Sequence, residues 1–189
     1  MRKLLTCLLL SFFTGCSLFA PRTPEAPVER TGTYLQPDTP QRVIENMQHA
    51  IRERQTQNYV RSFTETFYFE PDPLVRSREP SLWQQWGKTE EQAYFSRLVV
   101  SAQPSASFSL QLFDAQEEYL QETRFRYQAT YLLRVPHQRI DEGIPSEVQG
   151  YLLWVIERGP DGLWYLTHWV DQAQGDAPTW SELKAAFIR

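Results

Sequence analysis

Apolar residues recur at steps of three and four directly after residue 40. One stripe of a helical wheel contains Val43, Ile44, Met47 and Ile51, with charged residues mostly outside it. This period is typical of an amphipathic helix that packs one face on a core. The preceding Asp38-Thr39-Pro40 supplies a capping side chain and then a proline for the first turn. The pattern predicts a first helix that begins near residue 39.

A second helical spacing follows, because Tyr59, Phe63 and Phe67 lie four residues apart. We predict a short second helix that leads to Phe67 and ends at residues 70–73, where two prolines interrupt it. A third helix is predicted from Thr89, which opens a capping-box spacing.

After residue 107 the period changes from about 3.6 residues to about 2. Residues 108–112 and 119–135 alternate apolar and polar side chains, which is typical of antiparallel strands with one wet face. Two further strands are predicted at residues 148–158 and 163–171, joined by the turn formers Gly159-Pro160-Asp161-Gly162. Both of these strands are apolar on both faces, so we expect each side to be covered.

A final short helix is predicted at the carboxy-terminal end. Thr179-Trp180-Ser181-Glu182 has the spacing of a capping box and opens a helix through Phe187. We expect this helix to cover the outer face of the sheet. Because helices come first and strands afterwards, the chain is predicted to form an α+β domain rather than a doubly wound sheet.

The order of these elements resembles the nuclear transport factor 2-like superfamily over about residues 39–172. The resemblance rests on that order, on Tyr59-x-x-x-Phe63 followed by Phe67-x-Phe69, and on the hairpin Asp161-Gly162-Leu163-Trp164-Tyr165-Leu166. It implies amino-terminal helices packed into the concave side of a strongly curved antiparallel sheet, a cystatin-like cone. The final helix is then an addition to the superfamily core. Enzymes of the superfamily, such as ketosteroid isomerases, scytalone dehydratases and polyketide cyclases, place Asp, His or Tyr inside the cone.

The first residues have the order of an export signal. Arg2 and Lys3 precede an apolar run at residues 4–13, and small residues lead to Cys16. This stretch resembles a bacterial lipoprotein signal, whose lipobox ends in Gly-Cys and whose cysteine becomes the acylated first residue of the mature chain. At about 1.5 Å per residue the apolar run is too short for a hydrocarbon core of about 30 Å, which argues against a spanning helix.

The resemblance and the proline content divide the chain into three parts. We predict a signal peptide at residues 1–15, a lipid anchor with a Pro-rich tether at 16–38, and a nuclear transport factor 2-like domain at 39–189. Repeated proline favours extended chain over a packed core. Acyl chains on Cys16 would hold the protein on a membrane of the cell envelope. In a Gram-negative source Ser17 implies the periplasmic face of the outer membrane, and in a Gram-positive source the outer face of the cell membrane is expected.

Composition limits the partners. The 189 residues carry 19 basic and 23 acidic side chains, and loss of Arg2 and Lys3 with the signal leaves 17 basic ones and a net charge of −6. A diffuse acidic surface argues against nucleic acid, whose binding needs clustered Lys and Arg. Only Cys7 and Cys16 occur, so the mature chain has no cysteine pair for a disulfide or a metal cluster.

The sequence contains no convincing catalytic dyad or cofactor motif. His49, His137 and His168 belong to no ligand or nucleophile motif. His168 lies three residues from Asp171, and strand alternation places the two on opposite faces. We therefore predict a packing or surface role for the histidine and a turn-capping role for the carboxylate. No metal or other cofactor is predicted.

Aromatic residues are the remaining functional signal, since pockets for small molecules are largely apolar with a few polar tips. Ordinary core packing explains the same aromatic stripes. The candidate pocket lining consists of Tyr59, Phe63, Phe67, Trp86, Tyr94, Tyr127, Tyr131, Trp154 and Trp169.

Three interpretations of function stay open, because fold does not decide function. The first is a lipid-anchored envelope domain that binds a small apolar ligand or a protein partner through the cone mouth or an aromatic sheet face, without catalysis. The alternative is an enzyme of the dehydratase, isomerase or cyclase type with its site in the cone. A homodimer through the convex sheet face is compatible with either.

Substitution of the predicted acyl acceptor tests the anchor. Several acyl chains bury far more methylene than the single chain that gives only marginal membrane binding. We expect the wild-type chain to sediment with membranes and the Cys16→Ala variant to stay in the soluble fraction, with Cys7→Ala as the matched control that still sediments. Recovery of Cys16→Ala in the membrane fraction at the wild-type level would contradict lipidation.

Overall fold

A five-stranded sheet forms the centre of the computed structural model, which describes residues 32–189. Its strands are β1 (Phe63–Glu70), β2 (Ser109–Gln121), β3 (Arg124–Arg134), β4 (Glu147–Arg158) and β5 (Trp164–Gln172). They lie in the order β1-β5-β4-β3-β2, with β1 parallel to β5 and the other pairs antiparallel. The predicted signal peptide, Cys16 and the tether up to residue 31 lie outside the described residues.

Helices pack against one face of this sheet. Those in the described part are α1 (Pro40–Glu53), α2 (Thr56–Arg61), α3 (Pro73–Arg78), α4 (Lys88–Val100) and α5 (Trp180–Ile188), with a 3-10 turn at Ile140–Glu142. Tyr59 of α2 stacks on Phe95 of α4 with ring centroids 4.1 Å apart. The predicted α+β class is confirmed, with the helices on the concave face. Within residues 32–189, no helix combines the length and apolarity that a membrane crossing requires.

The first helix forms as predicted. α1 begins at Pro40 with Thr39 at the N-cap position, and its apolar stripe, including Met47 and Ile51, is buried. The Thr39 side chain makes no capping hydrogen bond. The fixed φ of proline at the first helical position is therefore the start signal that acts here.

The chain contacts the domain before α1 begins. The side-chain amide of Asn46 exchanges two hydrogen bonds of 2.7 Å with the backbone of Leu35. The N–H of Trp164 donates to the carbonyl of Pro37 at 2.8 Å. These contacts involve residues that the sequence assigns to the tether, so the ordered part of the chain extends to the amino-terminal side of residue 39.

The predicted second helix is wrong beyond Arg61. α2 ends there, and the next residues form β1, in which Phe63, Phe67 and Phe69 are buried. A spacing of four residues places side chains on one side of a strand as well as of a helix, so Phe63 and Phe67 fit both periods. The two-residue step to Phe69 fits only the strand.

Pairing with β5 decides this segment. Phe63 lies opposite Leu166 and Tyr68 opposite His168, so five steps along β1 match two steps along β5. Residues 64–67 therefore bulge away from the ladder. A parallel partner 100 residues away in the chain is not visible in a local pattern.

The long strand predicted at 119–135 is two strands. β2 continues to Gln121, a turn follows, and β3 begins at Arg124. Tyr119 and Phe125 face each other across the turn, with ring centroids 4.9 Å apart. Because both positions are odd-numbered, the alternation of apolar and polar residues keeps the same phase on the two sides of the turn. The turn contains no glycine or proline that would have marked it.

The predicted hairpin between the last two strands is confirmed within one residue at each end. Gly162 adopts φ 81°, a conformation that side chains other than glycine rarely tolerate. Asp161 accepts hydrogen bonds from the N–H of Leu163 at 3.1 Å and the hydroxyl of Tyr165 at 2.7 Å. These turn residues fix the register of β4 against β5.

The position expected for the last helix is wrong. α5 lies on the inner face of the sheet, where Trp180 packs 4.5 Å from Trp169 and 5.4 Å from Tyr131. Trp180 and Leu183 are buried. The concave face offers α5 two sides of apolar contact, from the sheet and from α4, whereas the convex face would offer one.

The convex face is consequently less covered than expected. The outward side chains Tyr151, Leu153 and Val170 are half-buried, and Val155 is buried. Partial burial of these residues by their neighbours on the sheet replaces the helical cover that the sequence predicts.

Trp154 tests the core. Its ring is fully buried, and its indole N–H has no hydrogen-bond partner among the described residues. Trp154→Ala should therefore lower the free energy of unfolding mainly through lost packing, by about 3–5 kcal/mol. Urea unfolding measures this, with Leu74→Ala, 67 % exposed, as a control that changes stability by less than about 0.5 kcal/mol. A loss below about 1 kcal/mol for Trp154→Ala would show that the ring does not support the fold.

Candidate functional site

A buried ion pair lies between the helices and the sheet. Glu91 of α4 and Lys184 of α5 contact each other through Oε1 and Nζ, and neither side chain is exposed. Oε2 of Glu91 accepts the Tyr59 hydroxyl at 2.7 Å, and Oε1 also accepts the indole N–H of Trp86 at 2.7 Å. Both carboxylate oxygens are thus hydrogen-bonded.

Aromatic rings surround the ammonium of Lys184. Its Nζ lies 3.5 Å from the ring centroid of Phe69 and 3.7 Å from that of Trp169. Trp86, Tyr94 and Trp180 add rings at 5.8–5.9 Å. Cation–π attraction is strongest when the cation has lost its water. Burial nevertheless outweighs the attraction of Glu91 and lowers the pKa of Lys184 to about 8.

A second buried carboxylate caps the amino-terminal end of α5. Asp171 of β5 accepts the hydroxyl of Tyr131 at 2.7 Å and the N–H of Ser181 at 2.7 Å. The Tyr131 hydroxyl in turn accepts the N–H of Trp180 at 2.7 Å. Negative charge at this end stabilises the helix dipole. Burial raises the pKa of Asp171, and these hydrogen bonds oppose the rise.

The serine of this cluster also connects α5 to the loop before α3. Ser181 donates its hydroxyl to Asp171 and accepts the backbone N–H of Asp72 at 2.9 Å. Asp72 caps α3 through the N–H of Leu74 and accepts the N–H of Ala173 at 2.9 Å. Three chain segments are therefore held together at the start of α5.

Tyrosine hydroxyls complete the interior. Tyr94 accepts the indole N–H of Trp180 at 3.0 Å. Burial raises the pKa of Tyr59, Tyr94 and Tyr131 well above the ordinary value, and the nearby carboxylates add to the rise. These hydroxyls are protonated donors at neutral pH.

The arrangement contains acids, a base and donors, yet solvent does not reach the charged groups. Glu91, Asp171 and Lys184 are each 0 % exposed. General acid–base catalysis requires a group within hydrogen-bond reach of substrate. In this structure the carboxylate of Glu91 pairs with Lys184 of α5, and that of Asp171 caps the amino-terminal end of α5.

The structure brings all nine residues of the predicted pocket lining into one buried cluster. Tyr59 and Trp86 bind Glu91, and Tyr131 binds Asp171. The remaining members, Phe63, Phe67, Tyr94, Tyr127, Trp154 and Trp169, pack as core rings. A ligand-lining role for these residues stays a prediction.

Sequence reasoning missed Glu91 and Lys184. Both lie on apolar stripes of their helices, Glu91 with Tyr94 and Leu98, and Lys184 with Trp180 and Phe187. A charged residue on an otherwise apolar stripe is the signal that was available. The turn-capping role predicted for Asp171 is wrong, because this carboxylate is buried and caps a helix.

The predicted separation of His168 and Asp171 is confirmed. His168 points outward, stacks on Tyr68 with ring centroids 4.0 Å apart, and lies 3.4 Å from a carboxylate oxygen of Glu70. Burial lowers the pKa of His168. Among residues 32–189, no three His, Cys, Asp or Glu side chains converge as a metal site requires.

A groove of about 800 Å³ opens on the outer surface. The segment before α1 contributes Tyr34 to it, and the start of β5 contributes Tyr165. Arg61 covers the Tyr34 ring at 3.9 Å, and Lys88 pairs with Glu65 at 2.7 Å. The groove therefore combines aromatic walls with charges of both signs.

No family model matches this chain, and no curated protein matches it in sequence. Several solved structures are similar in fold. A candidate aromatic ring hydroxylase from Novosphingobium aromaticivorans has a TM-score of 0.57 at 12 % identity, covering 76 % of this chain and 92 % of its own. A candidate scytalone dehydratase from the same organism gives 0.53 at 10 %, covering 71 % and 80 %. An NTF2-like protein of unknown function from Pseudomonas putida gives 0.53 at 14 %, covering 72 % and 84 %. At these identities the likeness shows the nuclear transport factor 2-like fold alone.

The depressed pKa of Lys184 predicts a rise of stability at alkaline pH. Its pKa is about 8 in the folded chain against 10.5 ordinarily, so the unfolded chain binds more protons between these values. The free energy of unfolding should therefore increase from pH 8 to about 10, by at most about 3 kcal/mol. Above that range the raised tyrosine pKa values reverse the trend, because the unfolded chain then loses its phenolic protons first.

Urea unfolding at several pH values measures this effect. The double variant Glu91→Gln/Lys184→Met keeps one side-chain acceptor, which can serve either Tyr59 or Trp86, and removes both charges, so it should lack the rise. An equal rise in the wild type and the double variant would mean that Lys184 is not its source.

Proposed function

We propose that this chain is a lipid-anchored protein of the cell envelope whose folded domain binds a protein partner on its outer surface, without catalysis. The envelope location rests on the order of the first sixteen residues, with Cys16 as the acylated residue. The Pro-rich tether gives the domain reach from the membrane.

The observation that carries this proposal is the position of α5 on the concave face. Trp180 and Lys184 fill the space between α4 and the sheet, and Glu91 and Asp171 are fully buried against them. Filling of the interior by the protein's own side chains favours a partner on the surface over a ligand in the cone.

The outer surface offers features that suit a protein partner. The groove of about 800 Å³ combines Tyr34 and Tyr165 with Arg61 and Lys88 at its rim. Aromatic residues and arginine are enriched where protein partners bind. On the opposite side of the sheet, β2 exposes apolar residues at its free edge.

Acid–base catalysis in the interior is the second candidate. The specific observation in its favour is the presence of two carboxylate–tyrosine pairs, Glu91 with Tyr59 and Asp171 with Tyr131. A substrate would reach them only after α5 leaves the concave face. That requirement makes catalysis the less supported function.

Photo-crosslinking in cells tests the proposed function. A photoreactive phenylalanine analogue placed at Glu65 in the groove or at Glu118 on β2 should give a discrete crosslinked species, because both side chains are exposed. The same analogue at Leu74 is the matched exposed control and should give none. The species should disappear when the chain also carries Cys16→Ala, because the domain is then no longer held beside its partner.

Two results would contradict the proposal. Absence of a crosslink from both Glu65 and Glu118 would remove the partner. Turnover of a substrate by the purified wild-type chain, abolished by Asp171→Asn or Glu91→Gln without loss of folding, would replace partner binding by catalysis.

A further inference from the structure

The strand β2 is a free edge of the sheet. It pairs with β3 on one side, and no strand within residues 32–189 pairs with its other side, where Gln48 of α1 donates to the carbonyl of Leu110 at 3.3 Å. It is 13 residues long, and every residue after Leu112 is exposed. An edge strand presents a row of backbone N–H and C=O groups that can pair with another chain.

β2 lacks two of the usual protections of such an edge. Its sequence, SLQLFDAQEEYLQ, contains neither proline nor lysine. The pairing with β3 shifts register twice, between Phe113 and Gln116, where Asp114 adopts φ 52°, and between Tyr119 and Gln121. Between these two shifts, residues 116–119 pair regularly with β3.

Exposed apolar side chains concentrate on the same strand. Phe113 is 48 % exposed, Tyr119 57 % and Leu120 39 %. These are three of the seven large apolar residues exposed within residues 32–189. Side chains of this kind flanking a free edge give a docked strand apolar contacts in addition to backbone hydrogen bonds.

The charges on β2 distinguish between the strands that could pair with this edge. β2 carries Asp114, Glu117 and Glu118 and no Lys or Arg. Pairing with β2 of a second copy would bring these carboxylates together, and like charges on paired strands are destabilising. A strand with basic side chains would instead meet them with opposite charge. Arg126 of β3 already makes this kind of contact with Glu118.

We propose that β2 takes an extended segment of a partner protein, rich in Lys or Arg, as a sixth strand of the sheet. This inference rests on the proposed partner-binding function and names the surface and the chemistry of the partner. Backbone pairing along β2 supplies the affinity, and the carboxylates select a basic sequence over a neutral or acidic one.

Amide hydrogen exchange on the purified full-length chain tests the inference. The probe is a nine-residue peptide of alternating lysine and valine. Two matched peptides serve as controls: one with glutamate in place of lysine, and one with the same lysines but proline in place of valine, which cannot form a ladder. The lysine–valine peptide should slow exchange in residues 112–121 at least about fivefold, and the controls should not.

A charge-reversed chain provides the second arm. Asp114→Lys/Glu117→Lys should weaken binding of the lysine–valine peptide by at least about tenfold. The matched variant Asp141→Lys/Asp176→Lys reverses two exposed charges outside β2 and α1 and should leave the binding unchanged. Both sites are exposed or at the surface, so neither pair of substitutions empties the core.

Several outcomes would overturn the inference. If the proline peptide slowed exchange in residues 112–121 equally, the protection would reflect general electrostatic attraction to an acidic protein and not strand pairing. Protection confined to the groove around Tyr165 would move the site, and a concentration-dependent dimer that protects β2 without peptide would make a second copy the occupant. If any of these outcomes occurs while the crosslink from Glu65 persists, strand pairing at β2 is refuted and the proposed partner binding stands. Loss of the crosslinks from both Glu65 and Glu118 refutes partner binding itself.

Discussion

The buried ion pair between Glu91 and Lys184 is the interaction on which the interior depends. Removing two such charges from water costs several kcal/mol each, and only good geometry with further hydrogen bonds offsets that cost. Tyr59 and Trp86 supply those hydrogen bonds to the carboxylate, and aromatic rings such as Phe69 contact the ammonium. Apolar pairs can replace buried ion pairs with little loss of stability. We infer that this pair chiefly fixes where α5 packs, because Glu91 of α4 and Lys184 of α5 pair only when the two helices lie side by side.

The placement of α5 has a consequence for function. Its first turn is capped by Asp171 and Tyr131, and Trp180 extends to Tyr94. The buried carboxylates and hydroxyls that resemble catalytic groups therefore hold α5 in the concave face. The proposed partner binding would therefore use the outer surface, and the predicted lipid anchor would hold that surface at a membrane.

The two edges of the sheet, β1 and β2, differ in how far other segments of the chain cover them. On the outer side of β1, the carbonyl of Trp86 accepts the N–H of Phe69 at 3.0 Å, and Lys88 donates to the carbonyl of Phe63 at 3.2 Å. The segment that precedes α4 thus covers part of this edge. On β2 the side-chain amide of Gln48 donates to the carbonyl of Leu110 at 3.3 Å, whereas every residue from Phe113 to Gln121 is exposed. The second half of β2 is therefore the less covered edge of the sheet, and β2 carries Asp114, Glu117 and Glu118.

The sequence by itself determined those features whose physical cause is local. The stripe of α1 and its proline, the alternation of β3, and the glycine turn between β4 and β5 follow from residues a few positions apart, and together they specify an α+β domain. Tertiary structure decided the rest. β1 is a strand because it pairs with β5. The chain turns after Gln121 and so forms two strands, although the alternation of apolar and polar residues continues across that turn. Glu91 and Lys184 each read as an isolated charge on an apolar stripe, and only packing brings together two side chains that are 93 residues apart.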